Sequence, residues 1–257
     1  MKNLDPNSEK FKNYEKEAET TLDPEQPIIV RLDGKAFHTF TKQSWCESPF
    51  SDILVGLFED TMKYLCENVQ GCRLGYHQSD EITLVLTKNS VDSESFLGGR
   101  LQKIVSVVAS MATMRFNTLY HERVPSDLRR LPAVFDARVF QVPNVEEAVA
   151  CVKWRADDAS KNSKHMFARA MFSHRQLQGK SGRELVEMMA QQGFDYTQAP
   201  VRYRCGSLCV QRPVEVRVPT EYVKNGRETV TRKRWFLVGY GYDALAELYR
   251  SDVRLWG

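Results

Sequence analysis

"YHQSDEITLVL", residues 76–86, changes character at its centre, where the polar run Gln78-Ser79-Asp80-Glu81 meets the largely apolar run Ile82 to Leu86. An apolar run of that length after turn residues reads as a buried strand. "CRLGY" at 72–76 reads as its partner, so two strands, 72–76 and 82–86, are expected with a polar turn between them. Asp80 and Glu81 then stand at the mouth of a hydrophobic core. Acids there are either solvated turn residues or ligands for something positive.

Upstream, "QPIIVRLDGKAF" supplies a strand from Ile28 to Leu32, broken by Asp33-Gly34. Between it and the hairpin, "SDILVGLFEDTMKYLCENV" repeats apolar residues at 53, 54, 57, 58, 62 and 65, which is helical spacing. Downstream, "GGRLQKIVSVVASMATMRFN" places Leu101, Ile104, Val105, Val108 and Ala112 on one helix face, and "FDARVFQVP" reads as a fourth strand. The order is strand, helix, strand, strand, helix, strand. That is the split βαβ, or ferredoxin-like, pattern of an α+β fold with an antiparallel sheet.

Three parts are expected. Residues 1–24 form a charged arm with a short helix over 9–20, residues 25–143 the core that carries the split βαβ pattern, and residues 144–257 a helical and basic β extension packed on it. In the extension, Asn144 with Glu147, and Ser181 with Glu184, are helix-start signatures. The first opens a long helix towards Phe172; the second opens "RELVEMMAQQ", which Gly193 ends. A hairpin over 214–236 would turn at Asn225-Gly226.

At 257 residues, 42% hydrophobic and 27% charged, the chain has the composition of a soluble globular protein. No apolar run approaches the ~20 residues of a membrane span, and the charged N-terminus lacks the apolar stretch of a signal peptide. A cytoplasmic protein without membrane contact is expected. The six cysteines are scattered and read as free thiols, since no Cys or His pair completes a zinc site with Cys205 and Cys209. The formal charge is only +3, yet nine Lys/Arg stand against three Glu between Pro200 and Arg234. Such a run is a solvated face or a surface that tracks nucleic-acid phosphates.

In a split βαβ sheet the first strand lies beside the hairpin strands, so Asp33 and Asp80 can arrive at the same end of adjacent strands. Two carboxylates there repel unless protonated or bridged by cations, and Mg²⁺ takes one or two carboxylates together with water and phosphate oxygens. Gly34 permits close approach of its own carbonyl or a phosphate. By spacing alone, ordinary turns are the favoured reading of Asp33-Gly34 and Gln78–Glu81. Around them, Arg31, Lys35, His38 and Lys42 flank Asp33, while Arg100 and Lys103 lie about one turn apart. Arg155, Asp158 and Asn162 share one helix face. Together they suit a nucleoside triphosphate.

The sequence resembles a known family. "IIVRLDGKAFHTFTK", "GYHQSDEITLVL", "GGRLQKIVSVVASMAT", "FDARVFQVP" and "WRADDASKNS" follow the order and spacing of the tRNA-His guanylyltransferase superfamily, over about residues 10 to 212. "FSHRQLQGKSGRELVEMM" and "RYRCGSLCVQR" are similar to its bacterial and archaeal guanylyltransferase-like branch, whose members extend RNA in the 3′-to-5′ direction. The resemblance implies a polymerase-like palm, two Mg²⁺ ions, ATP and GTP as substrates, tRNA as partner and a homotetramer. It implies metal ligation by Asp33, Gly34 and Asp80, with Glu81 joining Asp33 and Asp80 as a catalytic acid. Nucleotide contacts are implied for Arg31, Lys35, Ala36, Phe37, His38, Lys42, Ser79, Arg100, Lys103, Asp158 and Asn162. RNA contacts are expected from Arg155, Arg202, Arg204, Arg232, Lys233 and Arg234.

Two departures bear on activity. Eukaryotic guanylyltransferases carry His-Ile-Asn-Asn where this chain has Ser160-Lys161-Asn162-Ser163, which favours template-dependent 5′-end repair over dedicated addition of G to tRNA-His. Many members also place Lys where this chain has Ser48, in "SPFSD", with Ser51 and Asp52 as alternatives for the acidic role. The competing classes are a palm-fold nucleotide cyclase and a catalytically silent tRNA-binding protein.

Overall fold

The computed structural model describes residues 6–88, 94–217 and 229–240. In chain order its helices are α1 (Pro6–Glu17), α2 (Phe37–Phe40), α3 (Asp52–Asn68), α4 (Leu101–Arg123), α5 (Val145–Met171), α6 (His174–Leu177), α7 (Gly182–Gln191) and α8 (Val201–Arg204). Its strands are β1 (Ile28–Gly34), β2 (Cys72–Gln78), β3 (Glu81–Leu86), β4 (Phe135–Gln141), β5 (Ser207–Arg217) and β6 (Thr229–Gly239). They form one antiparallel sheet in the order β4-β1-β3-β2-β5-β6. Each of the connections β1-α3-β2 and β3-α4-β4 therefore steps over one intervening antiparallel strand.

Period-2 alternation sends β1 side chains to two different cores. Val30 and Leu32 join Ile82 and Leu84 of β3 against α3 and α4, where Phe58, Met62, Ile104, Val108 and Phe116 are fully buried. Ile29 and Val85 face the other way, onto α5. Ala148, Val152, Ala156 and Ala159 form the buried stripe of that helix, and side chains this small let it lie close to the sheet. A third cluster, around Ala168, Leu185, Met189 and Tyr196, fastens α7 to the end of α5.

The expected caps close as hydrogen bonds. Glu147 N–H donates to Asn144 Oδ1 at 2.9 Å, and Ser181 and Glu184 bond reciprocally at the start of α7. The hairpin strands run closer to their turn than the sequence pattern implies, leaving only Ser79 and Asp80 between β2 and β3. Glu81 thus belongs to a strand, where it pairs with Asp33 on one side and Gln78 on the other. β5 and β6 pair from Ser207↔Gly239 to Arg217↔Thr229, and β5 pairs with β2 only from Ser207 to Val210. The rest forms a two-stranded ribbon at the sheet edge; the expected turn at Asn225-Gly226 lies outside the described residues. Among the described residues no helix is long and apolar enough to cross a membrane.

Candidate active site

Asp33 is the penultimate residue of β1, and the β2–β3 turn closes directly onto it: Gly34 N–H donates to the Asp80 carbonyl at 3.0 Å. Asp33, Gly34 and Asp80 therefore meet at one end of two adjacent strands. Two non-glycine residues here adopt left-handed backbone, Ala36 (φ 57°) after β1 and Ser79 (φ 55°) in the turn. Such conformations cost energy and persist where the surroundings over-determine them. Ser79 Oγ donates to Asp80 Oδ1 at 3.1 Å. Burial pushes the Asp80 carboxyl above the usual range against that bond, and the charges of Asp33 and Glu81 add to the push. A carboxylate crowded in this way is stabilised by a cation. Asp33 and Asp80 match the donor set Mg²⁺ takes from proteins, one or two carboxylates with the remaining positions left to water and phosphate. Among the described residues, no three His, Cys, Asp or Glu side chains gather tightly enough to hold a metal by themselves.

The missing side chain of Gly34 also has a packing use. A Cβ there would lie 2.3–2.8 Å from three carbons of the Phe37 ring, so the glycine makes room for Phe37. That ring is buried among Phe40, Phe58, Phe116 and Phe135, and the side chain of Phe37 belongs to the core rather than to a ligand surface. Lys35, Ala36, His38 and Lys42 around it are exposed. Among the described residues, the backbone N–H groups of Ala36, Phe37 and His38 find no acceptor.

On the α5 face of the sheet, Arg31, Asp33 and Glu81 point the same way as Asp136 and Arg138 of β4, by their register with β1. Arg138 lies 3.7 Å from Asp33. Arg155 descends from α5 to pair with Glu81, and its second arm lies 3.5 Å from Asp158, to which Asn162 donates at 3.3 Å. The Arg155 side chain is only 13% exposed. Expected on RNA, Arg155 is instead committed to two carboxylates inside the fold. Asp158 and Asn162 do share a face with it, as the i, i+3, i+7 spacing requires.

On the other side of Asp80 opens a cavity of about 400 Å³, bordered by His38, Thr41, Phe50, His77, Asp80 and Tyr203 among others. Phe50 and Tyr203 stack at 4.8 Å with 9° between their planes. Asp52 receives hydrogen bonds from both Arg202 and Tyr203, while Ser51 is buried and caps α3 by accepting from Leu54 N–H at 3.4 Å. Ser51 is thus a helix cap, and Asp52 fastens α8 to the start of α3. Arg202 also approaches Glu59 at 3.7 Å, and Arg204 Nε donates to the Ala199 carbonyl at 2.7 Å. Of the expected RNA contacts, Arg232, Lys233 and Arg234 are exposed, on the β5–β6 ribbon.

Arg100 and Lys103 stand elsewhere. Ile28 pairs with Leu86 at the end of β1 opposite Asp33, and Leu22 N–H donates to the Gly99 carbonyl just beyond it. Five residue steps along β1, roughly 17 Å, separate that end from Asp33. Within one chain these two cations do not meet the carboxylates. Ser163, where the eukaryotic pattern has Asn, is buried and bonded to Tyr196 (2.7 Å) and to the Arg204 carbonyl (3.0 Å), which makes it part of the α5–α7 joint.

Sequence reasoning overlooked His77, Asp136, Arg138 and the Phe50–Tyr203 stack. The alternation in "FDARVF" would have put Asp136 and Arg138 on one strand face, but nothing in the sequence announces which face meets Asp33.

Comparison with known proteins agrees with this architecture. The tRNAHis guanylyltransferase (Thg1) family model matches residues 8–143. A tRNA(His) guanylyltransferase of Schizosaccharomyces pombe is 28% identical over 203 residues, covering 75% of this chain and 76% of its own. Among solved structures, a bacterial tRNA(His) guanylyltransferase (Thg1)-like protein in complex with ATP is 33% identical, with 94% of this chain and 96% of that one covered and a TM-score of 0.79. A second such structure, in complex with GTP, is 30% identical over 98% and 100% of the two chains, with a TM-score of 0.76. The chain belongs to the tRNAHis guanylyltransferase family, a family of nucleotidyltransferases.

Proposed function

We propose that this protein adds nucleotides to the 5′ end of tRNA, growing the RNA in the 3′-to-5′ direction with the opposite strand as template. The observation that carries the reading is the meeting of Asp33 and Asp80 at one end of adjacent strands, beside a cavity large enough for a nucleotide, in a chain whose solved relatives hold ATP and GTP. The strand order β4-β1-β3-β2 with two stepping-over connections supports a palm-like core.

In this reading Asp33, Gly34 and Asp80 would hold two Mg²⁺ ions, which when bound would supply activation of the attacking hydroxyl and neutralise charge on the leaving group. The 3′-hydroxyl of the incoming nucleotide attacks the α-phosphorus of the RNA 5′ end. Its O–P bond forms as the bond to pyrophosphate breaks, or as AMP leaves an end already adenylylated by ATP. Arg31, Lys35, His38 and Lys42 orient the phosphates, helped by the backbone amides after Lys35. Arg155 holds Glu81 in place behind Asp80, and Ser79 steers the Asp80 carboxylate. Arg232, Lys233 and Arg234 contact the RNA backbone. A homotetramer would allow Arg100 and Lys103 of one copy to reach the triphosphate bound by another.

The test is 5′ extension of tRNAs lacking one 5′ nucleotide, with the opposite base varied. The added base is expected to follow its partner, and Asp33→Ala is expected to abolish addition; an added base indifferent to its partner would end the templated reading. Addition of G to tRNA-His is the second reading, favoured by the name its relatives carry. It predicts a single G on tRNA-His whatever base stands opposite.

A further inference from the structure

Among the side chains bordering the cavity beside Asp80, His77 is left unused by the chemistry above. His77 lines it with only 1% of its surface exposed. The imidazole lies flat on Phe58, 4.9 Å away at 10°, and its Nε2 is 3.0 Å from the Ser79 carbonyl oxygen. A carbonyl only accepts, so Nε2 carries the proton and donates. Burial holds the ring neutral by lowering its pKa to about 4. The other nitrogen, Nδ1, is then a bare acceptor; it is buried and has no partner among the described residues. Buried acceptors in folded proteins nearly always meet a donor. On a side chain that lines a cavity, such an acceptor can receive its donor from the occupant.

Phe50 and Tyr203, stacked on each other, add aromatic surface to the lining of the same cavity, which suits a nucleobase. A nucleotide paired to the template has its amino group engaged by the opposite base and needs no acceptor from the protein. The nucleotide that activates a 5′-monophosphate pairs with nothing, so the protein alone must recognise it. We propose that His77 Nδ1 accepts a hydrogen bond from the exocyclic amino group of the activating adenine, which makes His77 a specificity-determining residue. The proposal rests on the nucleotide reading of the site and adds base recognition to it.

The experiment is calorimetric titration of the protein with ATP and with purine riboside 5′-triphosphate, which lacks only the amino group. GTP and ITP form a second pair, and His77→Phe is titrated alongside. One hydrogen bond of this kind corresponds to about a tenfold change in Kd. Wild-type protein is expected to bind ATP about tenfold more tightly than its analogue. His77→Phe, which keeps a ring on Phe58, is expected to bring ATP down to the analogue's affinity and leave the analogue unchanged. Equal binding of ATP and its analogue by wild-type protein overturns the proposal, and needs no variant to be folded. Preference for ATP surviving in a His77→Phe protein with native circular dichroism overturns it too. Discrimination within the GTP pair alone overturns the assignment to adenine. If wild-type protein binds no nucleotide at all, the nucleotide reading falls together with this one, whereas binding without discrimination removes this one only.

Discussion

Gly34 and Phe37 act as a pair, and the consequence is mechanical. The carbonyl end of β1 carries Asp33, and the ring packed where a Cβ would stand holds that end against the core. Gly34→Ala forces the ring or the strand to move, and overpacking of this kind costs about 1–3 kcal/mol. Urea denaturation is expected to register that loss, with nucleotide addition falling alongside because Asp33 shifts. His77 gives a second residue-scale prediction. Its folded pKa is about 4 against an ordinary 6.5, so above pH 6.5 the ring is neutral in both states and contributes no pH dependence. Between 6.5 and about 4 the unfolded chain takes up a proton that the folded chain refuses, and stability falls as pH falls. The full loss is about 3 kcal/mol. Unfolding measured at pH 7, 5.5 and 4.5 should show this decline in wild-type protein and a shallower one in His77→Phe. These roles were invisible in sequence, because a glycine after Asp reads as a turn and a single His in a strand carries no signature.

At the scale of elements, α5 and the β5–β6 ribbon divide the arginines into two kinds. Arg155 lies between α5 and the sheet, paired with Glu81. Removing it leaves a carboxylate without its partner in a largely enclosed place, and Arg155→Ala is expected to cost roughly 2–4 kcal/mol of folding stability in the absence of RNA. Arg234 stands directly opposite Arg212 on the ribbon, two like charges that repel across the strands. An RNA phosphate would relieve that repulsion. Arg234→Ala should therefore leave stability within about 0.5 kcal/mol of wild type and reduce the salt slope of tRNA binding by about one. If both variants behaved alike in the two measurements, this division would be wrong. The helices, the hairpin and the order of strands and helices along the core were legible, since caps, apolar period and turn residues act over a few neighbours. The strand membership of Glu81 was not, because Asp and Glu at a turn look the same whether or not the ladder continues through them.

For the whole molecule, the decisive fact is the placement of Arg100 and Lys103 at the end of the sheet opposite Asp33. If they serve the reaction, a second copy must bring them. A mixture of Asp33→Ala and Lys103→Ala proteins, each inactive alone, is then expected to regain roughly a quarter of the wild-type rate, the statistical share of sites with both intact contributors. Full activity of Lys103→Ala on its own, or no recovery after co-refolding, would end the shared-site reading.

What the sequence by itself determined is local and repetitive: the order of strands and helices, the caps at Asn144 and Ser181, the acids at the ends of two strands, and the motifs that carry the family resemblance. What only the tertiary structure decided is which distant partners these residues meet. Arg155 reaches Glu81 across 74 positions, and Arg202 reaches Asp52 across 150. Periodicity and capping arise from forces between near neighbours along the chain, whereas those pairings exist only once two separate cores have packed the sheet between its helices.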